Sequence, residues 1–158
     1  RSSKLATNSM LYAENKVKSY SLIFIQFAAI AILLVSDSVF IDNLILLIIQ
    51  ISGLFLGIWA LYVMGRGNIN IPPDLKENIK LTQKGPYKVI RHPMYTAIIL
   101  TLFPLVIENF SIFRLIIFII LIADLVYKLH WEEKMLLKRF PEYSTYQKKS
   151  SRIIPFIY

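Results

Sequence analysis

The sequence contains no cysteine. That excludes a disulfide framework, a zinc ribbon, a thiol nucleophile and CaaX lipidation of the chain itself, and it leaves the redox compartment unreadable. Glycine is scarce, at five in 158 residues beside an excess of Ile and Leu, which excludes collagen-like, low-complexity and disordered classes. Charge is scarce as well: 18% of residues, against about 25% in an ordinary soluble domain. There are two histidines, His92 and His130, too few for a histidine-rich metal site, so no metal is expected. The chain carries no G-x-G-x-x-G after a strand, no Walker loop, no G-x-S-x-G and no H-E-x-x-H.

What is abundant is apolar sequence. Hydrophobic residues make up 56% of the chain and the mean hydropathy is +0.55, too apolar for one small soluble core. Four segments carry it. Leu22 to Val35 is interrupted only by Gln26. Leu44 to Met64 has no formal charge and would make about 31 Å of helix, the thickness of a hydrocarbon core of about 30 Å. Tyr95 to Ile107 is short and contains Pro104, so it must kink, be buried against neighbours, or start earlier, near His92. Ile112 to Val126 has Arg114 at its start and Asp124 near its end, then continues as a polar helical pattern through Lys128 to Arg139. Ser36–Asn43 and Glu108–Ser111 read as helical-hairpin turns. The pattern predicts an all-α, multi-pass membrane protein with four transmembrane helices, forming one domain: an N-terminal hairpin over 20–64 and a catalytic core over 65–158.

The net charge of +8 sets the orientation. Lys and Arg precede the first segment, fill the loop 65–91 and follow the fourth segment, whereas the two hairpin turns hold Asp37, Asp42 and Glu108. The positive-inside rule then places both termini and the 65–91 loop in the cytoplasm, with the bilayer as partner. The membrane is the cell membrane in a bacterium or archaeon and the endoplasmic reticulum in a eukaryote. Nucleic acid is not expected as a partner, because the basic residues are divided among membrane-flanking loops. The start at Arg1 is expected of a trimmed or processed chain, and no cleavable signal peptide is expected. Oligomeric state is unreadable.

Polar sequence concentrates in two places on one side of the membrane. In Lys80–Tyr95, Gly85-Pro86 is a turn signal, and Arg91-His92-Pro93 reads as a helix entrance. Met94 and Tyr95 would then sit in the first turn, where backbone N–H groups with Arg91 and His92 could hold a carboxylate or phosphate. The alternative is an interfacial loop with Tyr87 and Tyr95 in an aromatic belt. In Lys128–Tyr146, Glu132 and Glu133 could supply negative charge to a cationic ligand. The alternative there is a surface salt bridge between Lys128 and Glu132. Asp124, a carboxylate inside a span, is a functional candidate by its cost alone, with Arg91 or Lys128 as partner.

Gly85-Pro86-Tyr87, Arg91-His92-Pro93-Met94-Tyr95, Glu132-Glu133, Phe140-Pro141-Glu142-Tyr143, Tyr146, Arg152 and Pro155 together resemble the isoprenylcysteine carboxyl methyltransferase and phospholipid methyltransferase superfamily of integral membrane enzymes. The likeness covers roughly residues 65–158. It implies a membrane-embedded S-adenosylmethionine site facing the cytoplasm. Ile79, Lys80, Leu81 and Thr82 would wrap the cofactor, while Tyr87, the stretch His92 to Tyr95 and Glu132 would line it. Glu132 and tyrosine faces suit the cofactor's sulfonium and ammonium, and Leu81 and Met94 suit its adenine. Where prenylcysteine methyltransferases carry an arginine that addresses the substrate carboxylate, this chain has Lys128, the expected acceptor-binding residue. Lysine keeps the charge without the bidentate fork.

The expected activity is therefore methyl transfer from S-adenosylmethionine to a membrane-dissolved amphiphile, most like isoprenylcysteine carboxyl O-methylation. Two alternatives remain. The ending Arg152-Ile153-Ile154-Pro155-Phe156-Ile157-Tyr158 also resembles sterol reductases that use NADPH, and a non-catalytic lipid-binding protein would need no chemistry at all.

Overall fold

The computed structural model describes residues 2–65, 80–155 and 157, with side chains from Lys16 onward. The described residues form helices and no strands. They comprise α1 (Ser2–Val35), α2 (Leu44–Met64), a short 3₁₀ turn at Gly85–Lys88, α3 (Pro93–Glu108), α4 (Ile112–Arg139) and α5 (Tyr143–Lys149). Two of these are long and apolar enough to cross a membrane: Lys16–Val35 within α1, and α2. The third and fourth apolar segments lie in helices of 16 and 28 residues.

Helix boundaries follow local chemistry. The Asn43 side chain accepts hydrogen bonds from Ile45 and Leu46 N–H and starts α2. Ser111 caps α4 through Arg114 N–H in the same way. Pro93, with fixed φ and no N–H, opens α3. Pro104 lies inside α3 and is buried, so the short third segment both starts earlier than Tyr95 and packs against neighbours.

The two hairpins pack pairwise, α2 along α3 and α1 along α4. Small residues make the first contact possible. A Cβ on Gly53 would stand 2.7 Å from the backbone nitrogen of Thr101, and one on Gly57 would stand 3.3 Å from Cβ of Ala97. Gly53 and Gly57 thus form a small-residue face of the kind that lets membrane helices approach closely. A common core of Ala29, Leu33, Leu102, Leu105, Val106, Phe118, Leu121 and Leu125 joins α1, α3 and α4.

At the turn end, Glu108 Oε1 accepts from Asp42 N–H at 2.9 Å and from Asn43 N–H at 3.3 Å. Arg114 is buried and donates to Ser36 Oγ at 3.0 Å and to the Leu105 carbonyl at 2.9 Å. This arginine, the one basic residue beside the turns, ties the hairpins together. The outer surface is apolar: Phe24, Ile48, Phe55, Ile58, Tyr62 and Ile116 are all exposed, and α2 buries only Gly53 and Ala60. Contiguous apolar exterior of this extent has water-excluding lipid as its natural solvent.

Candidate functional site

The opposite end of the bundle gathers the polar residues. Gly85 takes a positive φ of 55°, and a Cβ there would come within 2.8 Å of Val63 Cγ2, so the Gly-Pro turn sits on the last turn of α2. Tyr87 is buried, with its hydroxyl 3.8 Å from Met64 Sδ, and its carbonyl accepts from the Tyr146 hydroxyl. The C-terminal strand-like stretch then runs beside the entrance of α3. Arg91 N–H bonds the Ser151 carbonyl at 2.8 Å, His92 N–H the Arg152 carbonyl at 3.0 Å, and Ser151 N–H the Val89 carbonyl at 2.9 Å. Thr96 Oγ1 adds a bond to the Ile153 carbonyl at 2.8 Å.

Within this frame the two glutamates have different surroundings. Glu133 is 4% exposed and pairs with Arg91 Nε at 2.7 Å and with Arg152 Nε at 3.1 Å. Gln147 Nε2 donates to it at 3.3 Å. Arg91 also donates to the carbonyls of Gln147 and Ser150. Glu132 is half-buried and accepts from the Tyr95 hydroxyl at 2.5 Å, with His92 Nδ1 at 3.5 Å. The His92 and Tyr95 rings stack, with centroids 5.5 Å apart. His92 Nε2 lies 3.4 Å from Glu133 Oε1, so the imidazole stands between the two carboxylates.

The protonation states follow from this geometry. Burial works against the charged form of His92, yet hydrogen bonds and charge from Glu132 and Glu133 outweigh it and raise its pKa above the ordinary value. Burial likewise opposes ionised Glu133, but His92 and Arg91 pull its carboxyl down to about 2. Tyr87 and Tyr143 are pushed up chiefly by burial. Tyr146 is raised to about 12, with burial exceeding the opposing effects of Arg91 and the Ser150 hydrogen bond. These tyrosines are neutral donors at physiological pH.

The structure thus brings Arg91, His92, Pro93, Tyr95, Glu132 and Glu133 into one cluster. Tyr87 lies beside it through Tyr146. Met94 is half-buried in the first turn of α3, where Tyr95 and Thr96 N–H already bond the His92 carbonyl. Leu81 and Thr82 are half-buried, and Lys80 is exposed, in the extended segment before the turn. Ile79 lies outside the described residues.

Two of the alternatives and one possible pairing are set aside. Tyr87 is inside the protein, not in a lipid-facing belt. Arg91 is committed to Glu133 and to the α5 end, not to Asp124. Lys128 is not in an exposed salt bridge: it is 1% exposed, donates to Gln26 Oε1 of α1 at 2.5 Å, and holds its ammonium 5.6 Å from the centre of the Tyr95 ring. The reading of the sequence missed Gln26 and Arg152 as partners. Gln26 was visible as the one polar break in an apolar run, whereas nothing local marks Arg152 as a partner for Glu133.

Helices with an apolar exterior, two of them of membrane length among the described residues, and a histidine–glutamate–tyrosine cluster at one end mark a membrane protein with a polar site. Comparison with protein families identifies it further. Residues 42–143 match the phospholipid methyltransferase family, and the chain belongs to that family, within the integral membrane methyltransferase superfamily. The match runs from the start of α2 into α5 and includes the whole histidine–glutamate–tyrosine cluster. Comparison with curated proteins finds no match.

Proposed function

We propose that this chain transfers a methyl group from S-adenosylmethionine to an amphiphile that reaches the site from the bilayer. The observation that carries this reading is Glu132: a half-buried carboxylate, held by the Tyr95 hydroxyl and flanked by His92, inside the region matched to the methyltransferase family. The donor set fits the cofactor's chemistry. Glu132 and the face of Tyr95 suit its cationic groups. The Met94 N–H at the entrance of α3 suits its carboxylate, and Leu81 and Met94 suit its adenine. Lys80, Thr82, Gly85, Tyr87 and Pro93 complete the proposed lining. Arg91 and Glu133, neutralised by one another, hold His92 and the C-terminal stretch in place.

When bound, S-adenosylmethionine supplies an electrophilic methyl on a sulfonium. The protein's part is to align an acceptor in line with that methyl and to exclude water, from which most of the rate enhancement of a displacement follows. Four spans with both termini in the cytoplasm put this site at the cytoplasmic boundary, and the distribution of Lys and Arg supports that topology. Two acceptor classes suit such a site. A carboxylate, as in isoprenylcysteine, would use Lys128 as its counter-charge, whereas an amine would need a carboxylate facing it.

Calorimetry on detergent-solubilised protein tests the reading. Saturable binding of S-adenosylmethionine, with none of NADPH, is the expected result. Saturable NADPH binding with no response to S-adenosylmethionine overturns it in favour of a reductase, and binding of neither favours a non-catalytic lipid-binding protein.

A further inference from the structure

The end of α5 and the stretch that follows it border an open cleft of about 430 Å³, with Arg91, Lys148, Lys149, Ser150, Arg152 and Ile157 in its lining. No acidic residue lines it among the described residues. The carboxylate that meets its cations from behind is Glu133, shared by Arg91 and Arg152. Lys148 and Lys149 are exposed and form no ion pair among the described residues. Arg91 spends Nε on Glu133 and Nη1 on the Gln147 and Ser150 carbonyls, while its Nη2 has no hydrogen-bond partner among the described residues. Those carbonyls stand at the C-terminal end of α5, where free carbonyls would repel an anion. Bonded to Arg91, they do not. Just beyond the cations the surface turns apolar, with Ile154 48% and Ile157 80% exposed. Basic residues beside exposed isoleucines, at the polar end of an apolar bundle, suit a surface that meets headgroups and acyl chains together.

We propose that this cleft binds the phosphate of an anionic membrane lipid and so seats the C-terminal stretch on the bilayer surface. It is separate from the site assigned to methyl transfer, since Tyr95, Lys128 and Glu132 do not line it, and the inference does not depend on that reading. Phosphate oxygens accept from lysine as a point charge and from the guanidinium fork of arginine. A zwitterionic headgroup would bring its own cation among the four of the cleft, which is the repulsive element of a specific site. The isoleucines decide between sources of phosphate: acyl chains cover Ile154 and Ile157, whereas a soluble phosphate leaves them in water. The seat has a consequence for the rest of the fold. Residues 151–153 bond the backbone of Val89, Arg91 and His92 and the Thr96 hydroxyl, so a lipid held in the cleft steadies the entrance of α3.

The test is a lipid competition without any methyl donor. The full chain in neutral detergent is offered phosphatidylglycerol and phosphatidylcholine together, and the retained lipid is read by native mass spectrometry. The wild-type protein is expected to retain phosphatidylglycerol in preference. Replacing both cleft lysines, Lys148→Gln with Lys149→Gln, is expected to lower the ratio of the two lipids roughly thirtyfold, the factor for two basic residues at a charged lipid surface. Lys134→Gln with Lys138→Gln removes the same charge from exposed positions of α4 outside the cleft, and should hold the ratio within about threefold. Both pairs are exposed, so folding is preserved. Three results overturn the proposal: no preference in the wild-type protein, an unchanged ratio in the Lys148 and Lys149 variant, or an equal fall in both variants. Excess glycerol 3-phosphate is expected to leave the bound lipid in place. Displacement by it would assign the cleft to a soluble phosphate and overturn the lipid seat. Because no S-adenosylmethionine is present, failure of cofactor binding would remove the methyltransferase reading while this ratio still reports on the cleft.

Discussion

Tyr95 and Glu132 are joined across the α3–α4 interface by a hydrogen bond of 2.5 Å, and the same glutamate has His92 Nδ1 at 3.5 Å. A residue from the first turn of α3 therefore aims a carboxylate from the polar end of α4. The next glutamate in the chain, Glu133, is turned to Arg91 and Arg152. One residue of helical advance separates the proposed ligand-facing carboxylate from one used to fasten the C-terminal stretch.

Glu132→Gln keeps size and hydrogen bonding but removes charge. Loss of a partly desolvated ion pair is expected to cost about 2–4 kcal/mol, or roughly thirtyfold or more in S-adenosylmethionine affinity by calorimetry. Tyr95→Phe is expected to give a smaller loss, about 0.5–1.5 kcal/mol, because it removes one hydrogen bond and keeps the ring. Normal cofactor affinity in folded Glu132→Gln protein would remove this glutamate from the site.

Glu133 is predicted to act on stability. Glu133→Gln leaves Arg91, Arg152 and His92 without their shared counter-charge, and about 3–5 kcal/mol of destabilisation is expected in thermal melts. Asp37→Asn, at an exposed turn, is the control and should change stability by less than about 0.5 kcal/mol. Equal melting temperatures for the two variants would contradict the fastening role.

Stability should depend on pH from both sides. The folded-state pKa of Glu133 is depressed to about 2, so its contribution is present above its ordinary value near 4.5 and is lost as pH falls toward 2. That of His92 is raised, so its contribution is complete below about 6.5 and is lost as pH rises through the raised value. A plateau of melting temperature between about pH 4.5 and 6.5, falling on either side, is expected. His92→Gln should flatten the alkaline limb. An alkaline limb of unchanged slope in that variant would assign it to another group.

The α2–α3 contact predicts a graded response. Gly53→Ala forces a methyl to within 2.7 Å of the Thr101 backbone, whereas Gly57→Ala meets Ala97 at 3.3 Å. Overpacking of this kind costs about 1–3 kcal/mol, with Gly53 expected to be the more sensitive. Denaturation in detergent that ranked the two sites in the opposite order would contradict the close approach at Gly53.

Topology can be read directly, since the chain has no cysteine of its own. Asp42→Cys and Lys88→Cys should label from opposite sides of the membrane with an impermeant thiol reagent. Labelling from the same side would end the four-span arrangement.

Much of the helical architecture was legible in the sequence, because apolar runs, turns and prolines act locally. The uncharged run Leu44–Met64 became α2 residue for residue, the expected turns at Ser36–Asn43 and Glu108–Ser111 separated the helices, and Pro93 opened α3. The Gly53 and Gly57 pair was present as a spacing, but its meaning depended on Ala97 and Thr101, about fifty positions away. The site residues were legible as a motif, whereas their partners were not. Ion pairing depends on which helix faces bury one another, and no local rule couples Arg91 and Arg152 to Glu133, or Gln26 to Lys128.

By itself, then, the sequence determined the class of molecule: helices from apolar runs and prolines, a lipid environment from uncharged length, and a set of polar residues at one end of the chain's hairpins. Only the tertiary structure decided how those polar residues divide their work. Packing of α1 and α3 against α4 buried Lys128 and turned it toward Gln26, left the oxygens of Asp124 without donors, and set Glu132 against Tyr95 while Glu133 went to two arginines. The reason is physical. A charged group taken out of water must find its partner in whatever surface is packed against it, and that surface is brought there by residues far away in the chain.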